Sequence, residues 1–121
     1  MNHFNINLQA TKIMGWLAAG ESKVGASHMY LIEPNNIIKY KSCDNHAGSW
    51  AVWEPALDPK QALMVSQAHG GELSVEEQPG GFYFVTLTVD GQIFERRERT
   101  LALGYCMVAF DYWERKQKSK L

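Results

Sequence analysis

The pattern of hydrophobic and turn-forming positions predicts a group of strands in the second half of the chain. A short strand is predicted over 72–77, a long one over 82–89, which is rich in β-branched and aromatic residues, and a third over 92–97. The dipeptide Asp90-Gly91 is typical of a two-residue hairpin turn, which pairs Val89 with Gln92 and fixes the register of the last two strands. Because both faces of this hairpin carry large apolar residues, we expect covering layers on each side of the sheet.

A helical period of apolar positions predicts the first helix over 6–19, with Asn5 as its N-cap and Gly20 as its C-terminal stop. The stretch that follows is irregular. Two short apolar runs, 28–32 and 37–40, flank a spacer rich in turn-forming residues. They predict a short hairpin or two isolated strands.

Two further helices have clear start signals. The dipeptide Asp58-Pro59 supplies an N-cap and a proline at the first helical position, and the glycines at 70–71 end that helix. Thr100 caps the last helix, which we expect to end near Lys118. Its segment 101–110 contains no charged residue. This helix therefore either lies between layers of the core or forms a twofold contact in a homodimer.

Length and composition indicate a single folded domain. The chain has 121 residues and a mass of 13.7 kDa, with 45% hydrophobic and 21% charged residues, which is ordinary for a globular protein. No run approaches the roughly 20 apolar residues of a membrane span, and the first residues lack a secretory leader pattern. We expect one cytoplasmic α+β domain over 1–121, with helices packed on a small antiparallel sheet in an α-β-α sandwich-like arrangement.

The charge of the chain is unevenly distributed, although the formal net charge is only −1. Residues 1–95 hold 5 Lys/Arg and 10 Asp/Glu, which gives −5, and residues 96–121 hold 7 Lys/Arg and 3 Asp/Glu, which gives +4. The C-terminal fifth is thus a basic element on an acidic body, and it ends in a basic tail at 115–121. Its candidate contacts to phosphate or to an acidic protein surface are Arg96, Arg97, Arg99, Arg115 and Lys116.

Four tryptophans are unusual for a domain of this size. Trp50 and Trp113 stand next to a polar loop and a polar helix end, so they are our candidate anchors for a partner.

Residue types that carry catalysis or bind metals are sparse. Cys43 and His46 have the spacing of half a zinc site, but Cys106 falls in an apolar helix and the other histidines are scattered. The same pair suggests a thiol nucleophile with a base, yet no third group or oxyanion element accompanies it. We therefore expect no metal, no cofactor and no enzymatic activity, and we rank a Cys/His hydrolase last.

Several short motifs, in this order along the chain, resemble the phage ABA sandwich domain family of small bacteriophage and prophage proteins. They are Met14-Gly15-Trp16 at the end of the first helix, Trp53-Glu54-Pro55 before the second helix, the two-stranded hairpin, and Glu98-Arg99-Thr100-Leu101-Ala102-Leu103 at the start of the last helix. The resemblance implies an α-β-α arrangement and a phage or prophage origin. Because Trp16 and Trp53 lie in these motifs, the resemblance implies that they are core residues. It carries over no catalytic residues.

Together these observations favour a phage-encoded accessory protein that acts by binding a host or phage protein. Counter-defence, such as inhibition of a CRISPR effector, is the sharpest form of this hypothesis, and it rests on the resemblance. The alternative is a small nucleic-acid-binding regulator that uses the basic C-terminal element. We favour it less because the acidic body repels nucleic acid outside one patch. We expect no membrane partner.

Overall fold

The computed structural model describes residues 2–21, 25–44 and 48–120, and within them the chain forms three helices and seven strands. The elements are α1 (His3–Met14), β1 (Leu17–Ala18), β2 (His28–Ile32), β3 (Ile38–Ser42), β4 (Ala51–Trp53), α2 (Pro59–Ser66), β5 (Glu72–Gln78), β6 (Phe82–Val89), β7 (Gln92–Glu98) and α3 (Leu101–Lys118). Four strands form one sheet in the order β1-β2-β3-β4, and three form another in the order β5-β6-β7. The predicted α+β class is confirmed. In these residues no helix combines the length and the apolar character needed to cross a membrane.

The hairpin of β6 and β7 has the register that its turn predicts. Val89 pairs with Gln92, and the ladder continues in step to Tyr83 and Glu98. Asp90 and Gly91 both have positive φ, at 53° and 75°, as a two-residue turn between twisted strands requires.

The prediction that layers cover both faces of this sheet is wrong for the described residues. One face packs on α3 through Val85, Leu87 and Val89, which are buried. The opposite face carries Ile93, which is 61% exposed. Its aromatic Phe82 is half-buried because two arginine side chains lie over the ring.

The uncharged first part of α3 is buried inside the chain. Ala102, Cys106 and Ala109 belong to a first hydrophobic cluster together with residues of α1, α2 and the four-stranded sheet. Val108 and Tyr112 belong to a second cluster against β6 and β7. Of the two alternatives for 101–110, the structure therefore has the helix between layers, and the homodimer through this segment stays a prediction.

Both ends of α1 differ from the prediction, in which Asn5 was the N-cap and the helix reached residue 19. The helix begins after Asn2, whose side chain accepts a hydrogen bond from the Asn5 N–H, and it ends at Gly15 with φ 71°. The N–H groups of Gly15 and Trp16 bond to carbonyls of the last helical turn, which closes the helix. Released from the helix, Leu17 then starts a short parallel strand beside β2.

Candidate functional site

The four-stranded sheet has one face in the core and one face free of the core. Ile38 and Trp53 are paired neighbours and are 2% and 1% exposed, so their face is packed. Side chains alternate along a strand, and the next residues, Lys39 and Val52, are also paired and lie on the opposite face. Leu31 of β2 is paired with Lys39 on its other side, so Leu31, Lys39 and Val52 lie side by side on this opposite face.

We call this opposite side the outer sheet face. Register and alternation place on it Leu17, Met29, Leu31, Lys39, Lys41 and Val52, and Trp50 joins it beside Lys41. Among the described residues, none of these side chains belongs to either hydrophobic cluster. Val52 is 43% exposed, and the other apolar members are half-buried. Partly exposed apolar side chains that are grouped on one surface, outside the core, favour an interaction site there.

Trp50 is held in place on this face by a cation. The Lys41 Nζ lies 4.8 Å from the centroid of the Trp50 ring, within the range of a cation–π contact. The contact leaves Trp50 half-buried, with part of its indole open to solvent. An aromatic ring held in one orientation loses little entropy when it contacts a partner, which suits a binding anchor.

The outer sheet face is positively charged, although residues 1–95 carry a net charge of −5. Its two cations are Lys39 and Lys41, and the nearest acid is Glu33, whose Oε1 lies 2.9 Å from the Lys39 Nζ. One positive charge therefore remains after this ion pair is formed. Trp50 was predicted from the sequence as an anchor, whereas Lys39 and Lys41 were not predicted. Only the alternation of Lys39 and Lys41 in β3 indicated that they share a face, and no local signal indicated that this face also carries Trp50.

Trp113, the second predicted anchor, is placed differently. Its ring stacks on His69 with the centroids 5.5 Å apart, and it packs against the first cluster. One edge borders a shallow groove between α1 and α3, where Gln9 and Phe110 are its neighbours. Trp113 therefore has a packing role that Trp50 lacks.

The predicted basic residues do not form one patch. Arg96 makes a bidentate ion pair with Asp111, through Nε at 2.7 Å and Nη2 at 2.8 Å. The hydrogen bond to Asp111 raises the pKa of Arg96. This guanidinium joins β7 to α3 and has a structural role.

The other four cations lie in two separate places. Arg97 and Arg99 cover the Phe82 ring, with guanidinium carbons 3.7 Å and 4.5 Å from its centroid. Arg115 and Lys116 line a groove at the end of α3, beside the turn between β6 and β7. Their sequence proximity therefore does not produce a continuous electropositive surface.

The described residues do not assemble a catalytic or metal-binding site around Cys43 or Cys106. Cys106 is fully buried, its S–H donates to the Pro55 carbonyl at 3.5 Å, and burial raises the pKa of the thiol to about 12. Cys43 is half-buried at the end of β3, and His46 lies outside the described residues. No group of three His, Cys, Asp or Glu side chains with metal-site geometry occurs within 2–21, 25–44 and 48–120.

Comparison of the chain with protein-family models, with curated proteins and with solved structures finds no match.

Proposed function

We propose that this protein acts without catalysis, by binding another protein through the outer sheet face, with Trp50 as the central anchor. The observation that carries the proposal is the placement of the Lys41 Nζ over the Trp50 ring on a sheet face where Val52 and Leu31 remain outside the core. Aromatic anchors surrounded by apolar neighbours dominate the affinity of many protein interfaces.

The chemistry of this face indicates an acidic partner surface. Lys41 is not neutralised by an ion pair among the described residues, and the only acid close to Lys39 there is Glu33. A carboxylate-bearing surface complements these cations, and apolar side chains of the same partner cover Leu31, Met29 and Val52. Electrostatic attraction of this kind mainly raises the association rate and selects the partner.

A protein partner fits this face better than nucleic acid. Aliphatic side chains such as Leu31 and Val52 contribute little to binding a phosphate backbone, because cations and polar groups make the phosphate contacts. The basic C-terminal residues are the alternative nucleic-acid surface, but Arg96 is occupied by Asp111 and the other cations are dispersed.

The biological setting is part of the proposal and rests on the resemblance to the phage ABA sandwich domain family. We propose that the protein acts in the host cytoplasm as a phage or prophage accessory factor that inhibits a host protein complex. The most specific form of this hypothesis is inhibition of a CRISPR effector. Phage plaquing on host cells that carry a targeting CRISPR system, with and without expression of this protein, tests the setting. Unchanged plaquing contradicts that form of the hypothesis and leaves the binding surface to be tested separately.

The binding proposal is tested by comparing what tagged variants retain from infected or lysogenic cells. We expect a protein that is retained by the wild type and lost from both Trp50→Ala and Lys41→Glu. Trp113→Ala is the aromatic control, with its folding checked by circular dichroism because Trp113 packs against the first cluster, and Lys60→Glu is the matched charge control, because Lys60 is exposed on α2. Both controls retain the partner. Loss from Trp113→Ala with retention by Trp50→Ala would contradict the assignment of the anchor.

The nucleic-acid alternative has its own test. Binding of fluorescent duplex and single-stranded DNA is titrated at two salt concentrations. Tight binding that collapses at the higher salt and is lost in Arg97→Glu would favour the nucleic-acid regulator. We expect no such binding.

A further inference from the structure

Strand β7 is an edge of the three-stranded sheet, and among the described residues its outward side pairs with no other strand. In the ladder with β6, the pair of Val89 and Gln92 closes the two-residue turn, so these two residues bond to each other through their backbones. The pattern alternates along an antiparallel ladder. Ile93, Glu95 and Arg97 therefore direct their N–H and C=O groups toward the open edge.

The side chains at this open edge alternate in charge. Glu95 and Arg97 are both exposed and lie on the same face of the sheet, with exposed Ile93 before them and exposed Arg99 beyond. The strand is seven residues long and contains no proline. An open edge of this kind is a template for pairing with another strand.

The other edge of the sheet is a poor template for self-association. Strand β5 carries Glu72, Glu76 and Glu77, all exposed. Two copies of this strand side by side bring six carboxylates together, and such like charges oppose pairing. The open edge of β7 has both signs.

We propose that β7 pairs antiparallel with β7 of a second copy of this chain, about a twofold axis at Arg96, to give a continuous six-stranded sheet. In this register Glu95 of each copy lies opposite Arg97 of the other, and the twofold axis produces the ion pair twice. Registers centred on Glu95 or on Arg97 place two like charges opposite each other. Charge complementarity therefore selects the register centred on Arg96.

The residues on and beside the axis are compatible with this pairing. Each Arg96 is already neutralised by its own Asp111 through two hydrogen bonds of 2.7 Å and 2.8 Å, so bringing two of them together does not bring two free charges together. Arg97 donates from Nε to the Gln78 side chain at 3.0 Å. Because Gln78 and the Phe82 ring, which Arg97 also covers, lie on the β5 and β6 side of the strand, the Arg97 side chain must turn toward the open edge and exchange these contacts for the Glu95 carboxylate of the second copy.

This inference is independent of the proposed function, because the outer sheet face belongs to the other sheet. Light scattering coupled to gel filtration measures the mass of the full chain from low to high micromolar concentration. We expect a wild-type mass approaching twice the 13.7 kDa of one chain. Arg97→Glu alone and Glu95→Arg alone each give the monomer mass, because each reversal places like charges in both pairs.

The combined variant Glu95→Arg with Arg97→Glu restores opposite charges and restores the dimer. Glu76→Arg, a charge reversal on β5, is the matched control and leaves the dimer intact. Circular dichroism of each variant confirms that the fold is retained. A wild-type monomer at every concentration, or a dimer that neither single reversal affects, would overturn the proposal.

Discussion

The indole of Trp53 donates a hydrogen bond from Nε1 to the backbone carbonyl of Asn7 at 3.1 Å, although the two residues are 46 positions apart. The Asn7 side chain adds a second link, because its Oδ1 accepts from the Ala56 N–H at 2.9 Å. Together these bonds tie α1 to β4 and to the segment that leads into α2. All of the groups involved are buried, so the links are formed away from competing water.

We predict that Asn7→Leu destabilises the protein by about 1–3 kcal/mol, because the Ala56 N–H is then buried without an acceptor. Chemical denaturation of the wild type and the variant measures the free energy of unfolding. Gln9→Leu is the control, since Gln9 lies in the same helix and is only half-buried. Equal stability of Asn7→Leu and Gln9→Leu would contradict this role of Asn7.

Gly104 brings α3 into close contact with β6. A Cβ at this position would lie 2.5 Å from the Val85 Cγ2. Gly104→Ala in an open helix would stabilise the protein by about 0.5–1 kcal/mol, but here we predict a loss of about 1–3 kcal/mol from overpacking. Combining it with Val85→Ala removes the clashing methyl group, so the double variant is more stable than the sum of the single effects predicts. Additive effects in this double-mutant cycle would contradict the contact.

Stability is expected to fall in mild acid because of His69. Its Nε2 is buried without a hydrogen-bond partner among the described residues, and its ring lies against Tyr112 and Trp113. Burial lowers the pKa of His69, and nearby Lys116 lowers it further. The unfolded chain therefore binds this proton more readily than the folded chain. The free energy of unfolding should decrease as the pH falls below the ordinary histidine pKa of about 6.5.

The measurement for His69 is the midpoint of thermal unfolding at pH 7.5 and at pH values below 6.5. His69→Phe keeps an aromatic ring at this position without a titrating nitrogen, so its midpoint should decrease less over the same range. An identical pH dependence of the two proteins would show that His69 is not responsible.

The two cysteines should differ in reactivity. At pH 8 the buried Cys106 thiol, with its pKa raised to about 12, is almost entirely protonated, and the thiolate is the reactive form. Iodoacetamide should therefore add one group to the folded protein, at Cys43, and two groups in denaturant. Cys43→Ser is the control and should take up none when folded. Rapid modification of Cys106 in the folded protein would contradict its burial.

The hairpin of β6 and β7 was predictable because its determinants are local. The turn at Asp90 and Gly91 sets the register of every pair up to Glu98. The end of α1 was not, because the apolar period continues through Leu17, whereas Gly15 adopts the left-handed conformation that closes the helix. Leu17 then gains a partner in Met29, which is a nonlocal strand contact that no helical period reveals.

The candidate site was only partly predictable for a related reason. Polarity near Trp50 indicated an exposed aromatic ring, but the face around it is assembled from four strands. Met29, Leu31 and Lys41 meet Trp50 only through the pairing of β2 with β3 and of β3 with β4. For the basic residues, proximity in the sequence suggested a shared surface that the structure does not form. Arg96 and Arg97 are adjacent in sequence, yet they point to opposite faces of β7.

Photo-crosslinking in host cells tests most directly whether the outer sheet face is the binding surface. Val52→p-benzoyl-phenylalanine places the reactive group on that face, and Val75→p-benzoyl-phenylalanine is the control, since Val75 is exposed on the other sheet. We predict an adduct to another protein from position 52 that disappears when Trp50→Ala is added, with no such adduct from position 75. The same adduct from position 75, or its persistence in Trp50→Ala, would contradict the account.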